Sequence, residues 1–414
     1  MNFDNGNFLF EDVGFREFVD EFETPLYVYE KSKIVERFSE VAEAVIYEPK
    51  KLLYACKANA NPHIMKVLKE AGCHGIDVAS PGEIEFSKLA GFNSKEMFFT
   101  SNSASQKDLE IVGAENINFN ADSLEQIETY ASLEERLNGI SVRINPGIGA
   151  GHHEYVITGD EKSKFGIPYT QVNEIIQTAK DCELEIVGLH MHIGSRFLTS
   201  EPFLKASKSL LRTAENFPDL EYVNFGGGVG IPYGPNENEI DLNNFGVGLS
   251  EIFEQWCENY GRDLDLILEN GRYYVADSGS LLTMVTDRKL TPCYTFIGTD
   301  TGFNHLIRPV LYGAYHEIVN LSNPYGEKEE VLITGNVCES GDVFTRDKNG
   351  IKEREIPKPR KDDILAILNA GAYGFSMSSN YNSRLRPAEV LIDKEKSTLI
   401  RRRETYKDIA RTIT

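Results

Sequence analysis

The 414-residue chain sets 64 acidic side chains against 43 Lys and Arg, a formal charge of −21, and 41% of its residues are hydrophobic. That acidity argues against a nucleic-acid or anionic-membrane partner, either of which would be repelled over most of the surface. The hydrophobic content supports a sizeable core, in two domains or one large domain with an appendage.

Six scattered cysteines (Cys56, Cys73, Cys182, Cys257, Cys293, Cys338) form no CxxC pair and show no His/Cys ligand spacing. They imply neither a disulfide framework nor a zinc site. No run reaches the roughly 20 apolar residues of a membrane span, and the first residues lack the basic end and apolar core of a signal peptide, so a cytoplasmic location is expected.

In chain order, the amphipathic segment EKSKIVERFSEVAEAV (30–45) reads as a helix and precedes eight short apolar runs. LLYACK ends at Lys57 and is followed by the helical NPHIMKVLKEAG; GIDVAS carries Asp77 and is followed by PGEIEFSKLAGF, with Pro81 at a helix start. MFFTS, INFNA (followed by LEQIETYASLEERL), ISVRIN, IVGLHMHIGS, LEYVNFGGG (followed by FGVGLSEIFEQWCENYG) and LDLILENGR complete the series. Alternating strand and helical periods are the pattern of parallel βαβ units. Eight strands with eight helices predict an α/β fold, a (β/α)8 TIM-type barrel over roughly 30–280; a doubly wound open sheet is the alternative. From about 281 the helical period fades, and KLTPCYTFIGTD, EEVLITGNVCESGD, DDILAILNAGAYGF and RPAEVLI read as strands of a second, mainly β domain, a sandwich or barrel over 281–414. About 1–29 join it, since TPLYVYE has strand character.

Polar residues gather where the runs end. Lys57, Asp77, Ser101, Asn120, Arg143, His192, Ser195, the glycines at 226–228 and Glu269 lie at carboxyl ends of predicted strands, the face on which such barrels assemble their sites. A lone lysine after an apolar run ordinarily leaves the core for solvent; its company argues otherwise. Gly226, Gly227 and Gly228 allow backbone N–H groups to approach an anion, and loops after strands seven and eight are where barrels hold phosphate, although a tight turn is the plainer reading. Ser195 can add a hydroxyl. His190 and His192 are two apart and point one way. The other six histidines fall at no later strand end, so no metal is expected. One imidazole suffices to stack on an aromatic cofactor, and the other reads as a hydrogen-bonded core histidine. Glu269 ends a run so apolar that it needs a cation, either a protonated pyridine nitrogen or, more plainly, Arg272 in the same ENGR. A lysine, a phosphate cradle, a stacking ring and an acid for a ring nitrogen are what pyridoxal phosphate demands.

The motifs YACKANAN (54–61), DVASPGEIE (77–85), RINPGIGAGHHEYVITGDEKSKFGI (143–167), HMHIGS (190–195), GGG (226–228), ENGR (269–272), RPVLYGAYH (308–316), CESGDVF (338–344) and GAYGFSMSSNYNSR (371–384) span nearly the whole chain. In this order they resemble the alanine-racemase-like, fold-type III pyridoxal phosphate decarboxylases, and within them the members acting on diaminopimelate. The resemblance implies that Lys57 carries the cofactor, His192 stacks on its ring and Glu269 meets the pyridine nitrogen. It also implies that Ser195, Gly227, Gly228 and Tyr373 hold the phosphate, with the Asn270, Gly271 and Arg272 turn beside them. It further implies a homodimer with shared sites, in which CESGD completes the partner's. Where the family usually reads Glu-Pro-Gly-Arg, Asn270 lacks the fixed φ of proline, which predicts a looser turn aiming Glu269 and Arg272.

By the same resemblance Cys338 returns a proton to Cα; a small buried thiol is the plainer reading. Arg272 and Arg308 offer two forks for carboxylate, Glu339 an acid for ammonium, and Tyr312 and Tyr373 hydroxyls. That set suits a small amino-acid substrate whose far end is itself an amino acid, meso-2,6-diaminopimelate, giving L-lysine and CO2. Decarboxylation of D-lysine, D-ornithine or another basic amino acid, or a non-catalytic pyridoxal phosphate carrier, are the alternatives. The long polar segment GIGAGHHEYVITGDEKSKFG (147–166) is expected to form a mobile lid.

Overall fold

Eight apolar runs become parallel strands: β1 (Lys50–Ala55), β2 (Gly75–Val78), β3 (Met97–Thr100), β4 (Asn118–Ala121), β5 (Gly139–Asn145), β6 (Glu185–His190), β7 (Tyr222–Asn224) and β8 (Asp265–Asn270). Each pairs in parallel with the next, and β8 pairs with β1, with Leu268 opposite Leu52 and Asn270 opposite Tyr54. The ladder therefore closes on itself as a (β/α)8 TIM-type barrel. The structure, a computed structural model, describes residues 2–4, 7–149, 159 and 162–414.

Local chemistry sets the helix starts. Asn61, Ser80, Ser105, Ser123 and Asp241 each cap a helix by accepting a backbone N–H from its first turn. Pro62 and Pro81 occupy first-turn positions where a missing N–H costs nothing. The eighth helix expected from the alternation is a single turn, Arg272–Val275, because the chain passes at once into the long strand Gly279–Leu290. The sixth run also stops sooner than its sequence suggests. β6 ends at His190, and the segment beyond it turns away, so that the Arg196 and Phe197 amides donate to the Gly228 carbonyl at 2.8 and 3.2 Å.

By contacts the chain divides into two units: Val35–Ile231 with Asn238–Tyr274, which contains the barrel, and Met1–Ile34 with Pro232–Glu237 and Val275–Thr414. In the second unit Gly279–Leu290 pairs antiparallel with Leu26–Glu30, Ile364–Ile367 and Thr295–Thr299. Leu26–Glu30, the core of TPLYVYE, also runs parallel to Ala388–Asp393. Leu26, Val28, Leu282, Ala366 and Val390, with Phe10 and Phe18, form its buried core. Each large side chain among them contributes about 1.5–3 kcal/mol by leaving water.

Candidate active site

Lys57 sits in the turn Cys56–Ala58 directly after β1. The Tyr54 hydroxyl donates to the Asn59 carbonyl and fixes this turn from below. The lysine's partner lies outside its own run. Register places Ala55 opposite Asp77 at the end of β2, and Lys57 Nζ meets Asp77 Oδ2 at 2.6 Å. Asp77 is fully enclosed whereas the lysine side chain is 42% exposed, so the amine remains reachable from the barrel mouth. Burial, together with the nearby Glu269 charge, pushes the Asp77 carboxyl above its ordinary range despite the ammonium beside it.

Glu269, near the end of β8, is held from both sides. His190 Nε2 lies 3.0 Å from Oε2, and Asn224 Nδ2, at the end of β7, donates to Oε1 at 2.5 Å. Burial alone would raise this carboxyl, but His190, Lys57 and Asn224 outweigh it and keep Glu269 below the usual glutamate range. The plainer sequence expectation, a salt bridge from Glu269 to Arg272, is replaced by this pairing. Arg272 instead directs Nε and Nη2 to Ser195 Oγ at 3.3 and 3.1 Å. His190 is thus the hydrogen-bonded core histidine of the HxH pair. His192, two residues on, accepts the Gly227 N–H at Nδ1. Burial, then the Lys57 and Arg143 charges, holds its pKa well below the ordinary histidine value, so the ring is neutral.

The three glycines are demanded by close backbone approach. Gly226 and Gly228 have φ of +70° and +115°, and a Cβ on Gly227 would lie 2.0 Å from the Glu269 carbonyl oxygen. On Gly228 it would lie 2.2 Å from that of Gly194, the neighbour of Ser195. Gly227, Gly228, Ser195 and Arg272 are therefore gathered at one place. Asn270 is buried as the last residue of β8, paired with Tyr54, and Gly271 follows with the Ala55 carbonyl too close to admit a Cβ. The backbone of Asn270 is thus part of the barrel ladder.

The remaining expected site residues belong to the second unit. Arg308 and Tyr312 lie on the short helix Arg308–Tyr312. Cys338 and Glu339 lie on the loop after Lys328–Thr334, where Gly341 approaches Val310 of that helix. Asp342 builds this loop: its carboxylate accepts the Phe303 and Val337 amides at 2.7 and 2.8 Å. Cys338 is exposed rather than a buried thiol, and its own N–H donates to Asn382 Oδ1. Tyr373 adopts φ +57°, a left-handed conformation uncommon for an aromatic residue. The expected lid falls largely on residues 150–158, 160 and 161, outside the described residues.

This arrangement fits pyridoxal phosphate. An accessible amine, a neutral imidazole and a carboxylate held ionised by His190 and Asn224 stand at the same barrel mouth as a glycine cradle with a serine and an arginine beside it. Asp77 and Asn224 escaped the sequence reading as site members. Asp77 is visible there only as a strand-end acid, and Asn224 carries no chemical signature until the pairing of β7 with β8 places it against Glu269.

Residues 31–276 match the family model described as "Pyridoxal-dependent decarboxylase, pyridoxal binding domain". A diaminopimelate decarboxylase of Methanothermobacter thermautotrophicus is 41% identical over 99% of this chain and 96% of its own length, and one of Aquifex aeolicus is 35% identical over 98% and 95%. Among solved structures, the diaminopimelate decarboxylase of M. jannaschii in co-complex with L-lysine superposes with a TM-score of 0.90 at 34% identity, covering 100% of this chain and 97% of that one. The chain belongs to the diaminopimelate decarboxylase family of pyridoxal-dependent decarboxylases.

Proposed function

We propose that this chain, carrying pyridoxal phosphate, removes CO2 from meso-2,6-diaminopimelate to leave L-lysine, the last step of lysine biosynthesis. The reading rests above all on a match to diaminopimelate decarboxylases over practically the full length of both chains. The enzyme acts in the cytoplasm as a homodimer, with the CESGD segment of one protomer serving its partner's site. Residues 30–280 hold the cofactor, and 281–414 with about 1–29 supply substrate contacts.

When bound, the cofactor supplies an electron sink for the charge left at Cα by loss of CO2. The protein's own groups do the rest. Lys57 is the point of attachment, and Asp77, 2.6 Å away with a raised pKa, is placed to take the proton its amine must shed. His192, neutral, would face the cofactor ring. Glu269, kept ionised, favours a protonated ring nitrogen. Gly227, Gly228, Ser195 and Arg272, with Tyr373, would hold the phosphate, and Asn270 and Gly271 carry the turn between Glu269 and Arg272. Cys338 returns a proton to Cα. Arg272 and Arg308 take carboxylate, Glu339 the distal ammonium, and Tyr312 and Tyr373 add hydroxyls. Lysine or ornithine lacks the distal carboxylate and would leave arginine donors unmatched in a closed site, at a cost of about 1–3 kcal/mol.

The deciding experiment offers purified protein, with pyridoxal phosphate, each of meso-diaminopimelate, D-lysine, D-ornithine and L-lysine, and measures CO2. Release from meso-diaminopimelate alone is expected; release from D-ornithine with none from diaminopimelate rejects the assignment.

A further inference from the structure

Arg308 is 1% exposed, and two neighbours in its own unit fix its guanidinium in both plane and rotation. His316, also 1% exposed, meets Arg308 Nη1 with its Nε2 at 2.8 Å. The opposite ring nitrogen, Nδ1, lies 2.8 Å from the Leu368 carbonyl oxygen, which can only accept. Nδ1 therefore carries the proton, and Nε2 presents its lone pair to the arginine. The guanidinium carbon lies 4.5 Å from the centre of the Tyr233 ring, which stacks beneath it, and the same ring meets His316 edge-on at 5.3 Å. Tyr233 is itself anchored: its N–H and that of Gly234 both donate to Glu237 Oε2. The His316 carbonyl in turn accepts from Arg354 Nη1. One edge of the guanidinium is thus claimed by an acceptor and one face by an aromatic ring. A bidentate carboxylate contact requires the remaining edge to lie in one plane and point one way.

We infer that His316 and Tyr233 are positioning residues that aim Arg308 at a carboxylate of the substrate and so set the preference for an amino acid with two carboxylates. The inference rests on the role given to Arg308 above. His316 acts as an acceptor and Tyr233 as a flat face; neither needs to touch substrate.

The test is steady-state kinetics with meso-diaminopimelate on the full-length, cofactor-loaded enzyme. His316→Leu and Tyr233→Leu should each raise KM roughly tenfold or more while kcat changes by less than about threefold, because the lost interaction is one of binding. Tyr233→Phe, which keeps the face, and His316→Gln, which restores an acceptor, should lie within about threefold of wild type in KM. In an Arg308→Lys background, His316→Leu should add less than about twofold, since its effect passes through the guanidinium. Independent, multiplicative effects of the two substitutions overturn the inference, as does an unchanged KM in Tyr233→Leu. Should His316→Leu fail to fold, the Tyr233→Leu and Tyr233→Phe pair decides alone. Wild-type enzyme that turns over diaminopimelate while these variants keep its KM refutes the positioning role only; wild-type enzyme that does not turn it over removes the assignment beneath it as well.

Discussion

Replacing Asn224 with alanine strikes the residue that joins the glycine loop to the acid of the site. Asn224 is 2% exposed; its Nδ2 donates to Glu269 Oε1 at 2.5 Å and its Oδ1 accepts the Gly226 N–H at 2.9 Å. Alanine leaves a buried carboxylate oxygen short of one donor, at about 1.5–3 kcal/mol, and a backbone amide short of its acceptor, at about 1 kcal/mol. The expected loss is about 2.5–4 kcal/mol from the barrel unit. It can be read there specifically, because the chain's one tryptophan, Trp256, lies on the helix Leu242–Tyr260 of that unit, stacked between Phe253 and Tyr260. Urea unfolding followed by Trp256 fluorescence gives the difference directly. A second readout follows from charge. Burial pushes Glu269 up, and Asn224 is among the groups holding it down, so the acid limb of the kcat profile should move to higher pH in the variant. A stability change below about 1 kcal/mol with an unmoved acid limb would refute the reasoning.

With pyridoxal phosphate bound, the wild-type protein should show a visible band near about 420 nm, expected from the cofactor's chemistry, and Lys57→Ala should lose both band and turnover; a band surviving in the variant places the attachment elsewhere. Asp342 tests the loop that carries Cys338. Burial outweighs its two amide bonds and pushes its carboxyl from an ordinary 3.8 up to about 6, so the folded chain binds this proton more tightly than the unfolded one. Its contribution is therefore fullest below about pH 4 and declines by about 3 kcal/mol as pH rises through 6. Asp342→Asn, which cannot satisfy both the Phe303 and Val337 amides, should be offset by a constant amount but lack that decline; parallel stability curves for variant and wild type between pH 4 and 7 would contradict it.

The barrel was legible because its strands are largely buried parallel runs and several of the following helices carry their own start signals, Asn61 before Pro62, Ser80 before Pro81, Ser105 and Ser123 among them. Pairings across strands were not legible. Nothing within YACKANAN names the partner of Lys57; the carboxylate stands 20 residues on, and only the register of β1 with β2 puts the two side by side. The partners of Glu269 within the chain were hidden in the same way. Arg272 is near it in sequence, but the turn after β8 sends the arginine to Ser195, while the acid points among residues from β6 and β7. The β unit hid more. Its short segment Pro232–Glu237 lies in sequence between a barrel strand and a barrel helix, yet it supplies the ring beneath Arg308, a contact that no local periodicity encodes.

The net charge of −21 and the proposed chemistry bear on each other through ligand charge. Meso-diaminopimelate carries two carboxylates and two ammonium groups near neutral pH, so it is uncharged overall and the acidic surface neither repels nor draws it at long range. The cofactor is anionic and meets the repulsion of that surface within a Debye length of it, about 8 Å at physiological salt, before it reaches the amides of the glycine loop and Arg272. Salt should therefore speed loading of the apoprotein with pyridoxal phosphate, because it screens the surface repulsion more than the contacts inside the barrel mouth, while leaving KM for the substrate nearly unchanged. The two steps separate because the substrate carries no net charge, and because two cations at the mouth, Lys57 and Arg143, are matched locally by Asp77 and Asp122 and so project little field beyond it.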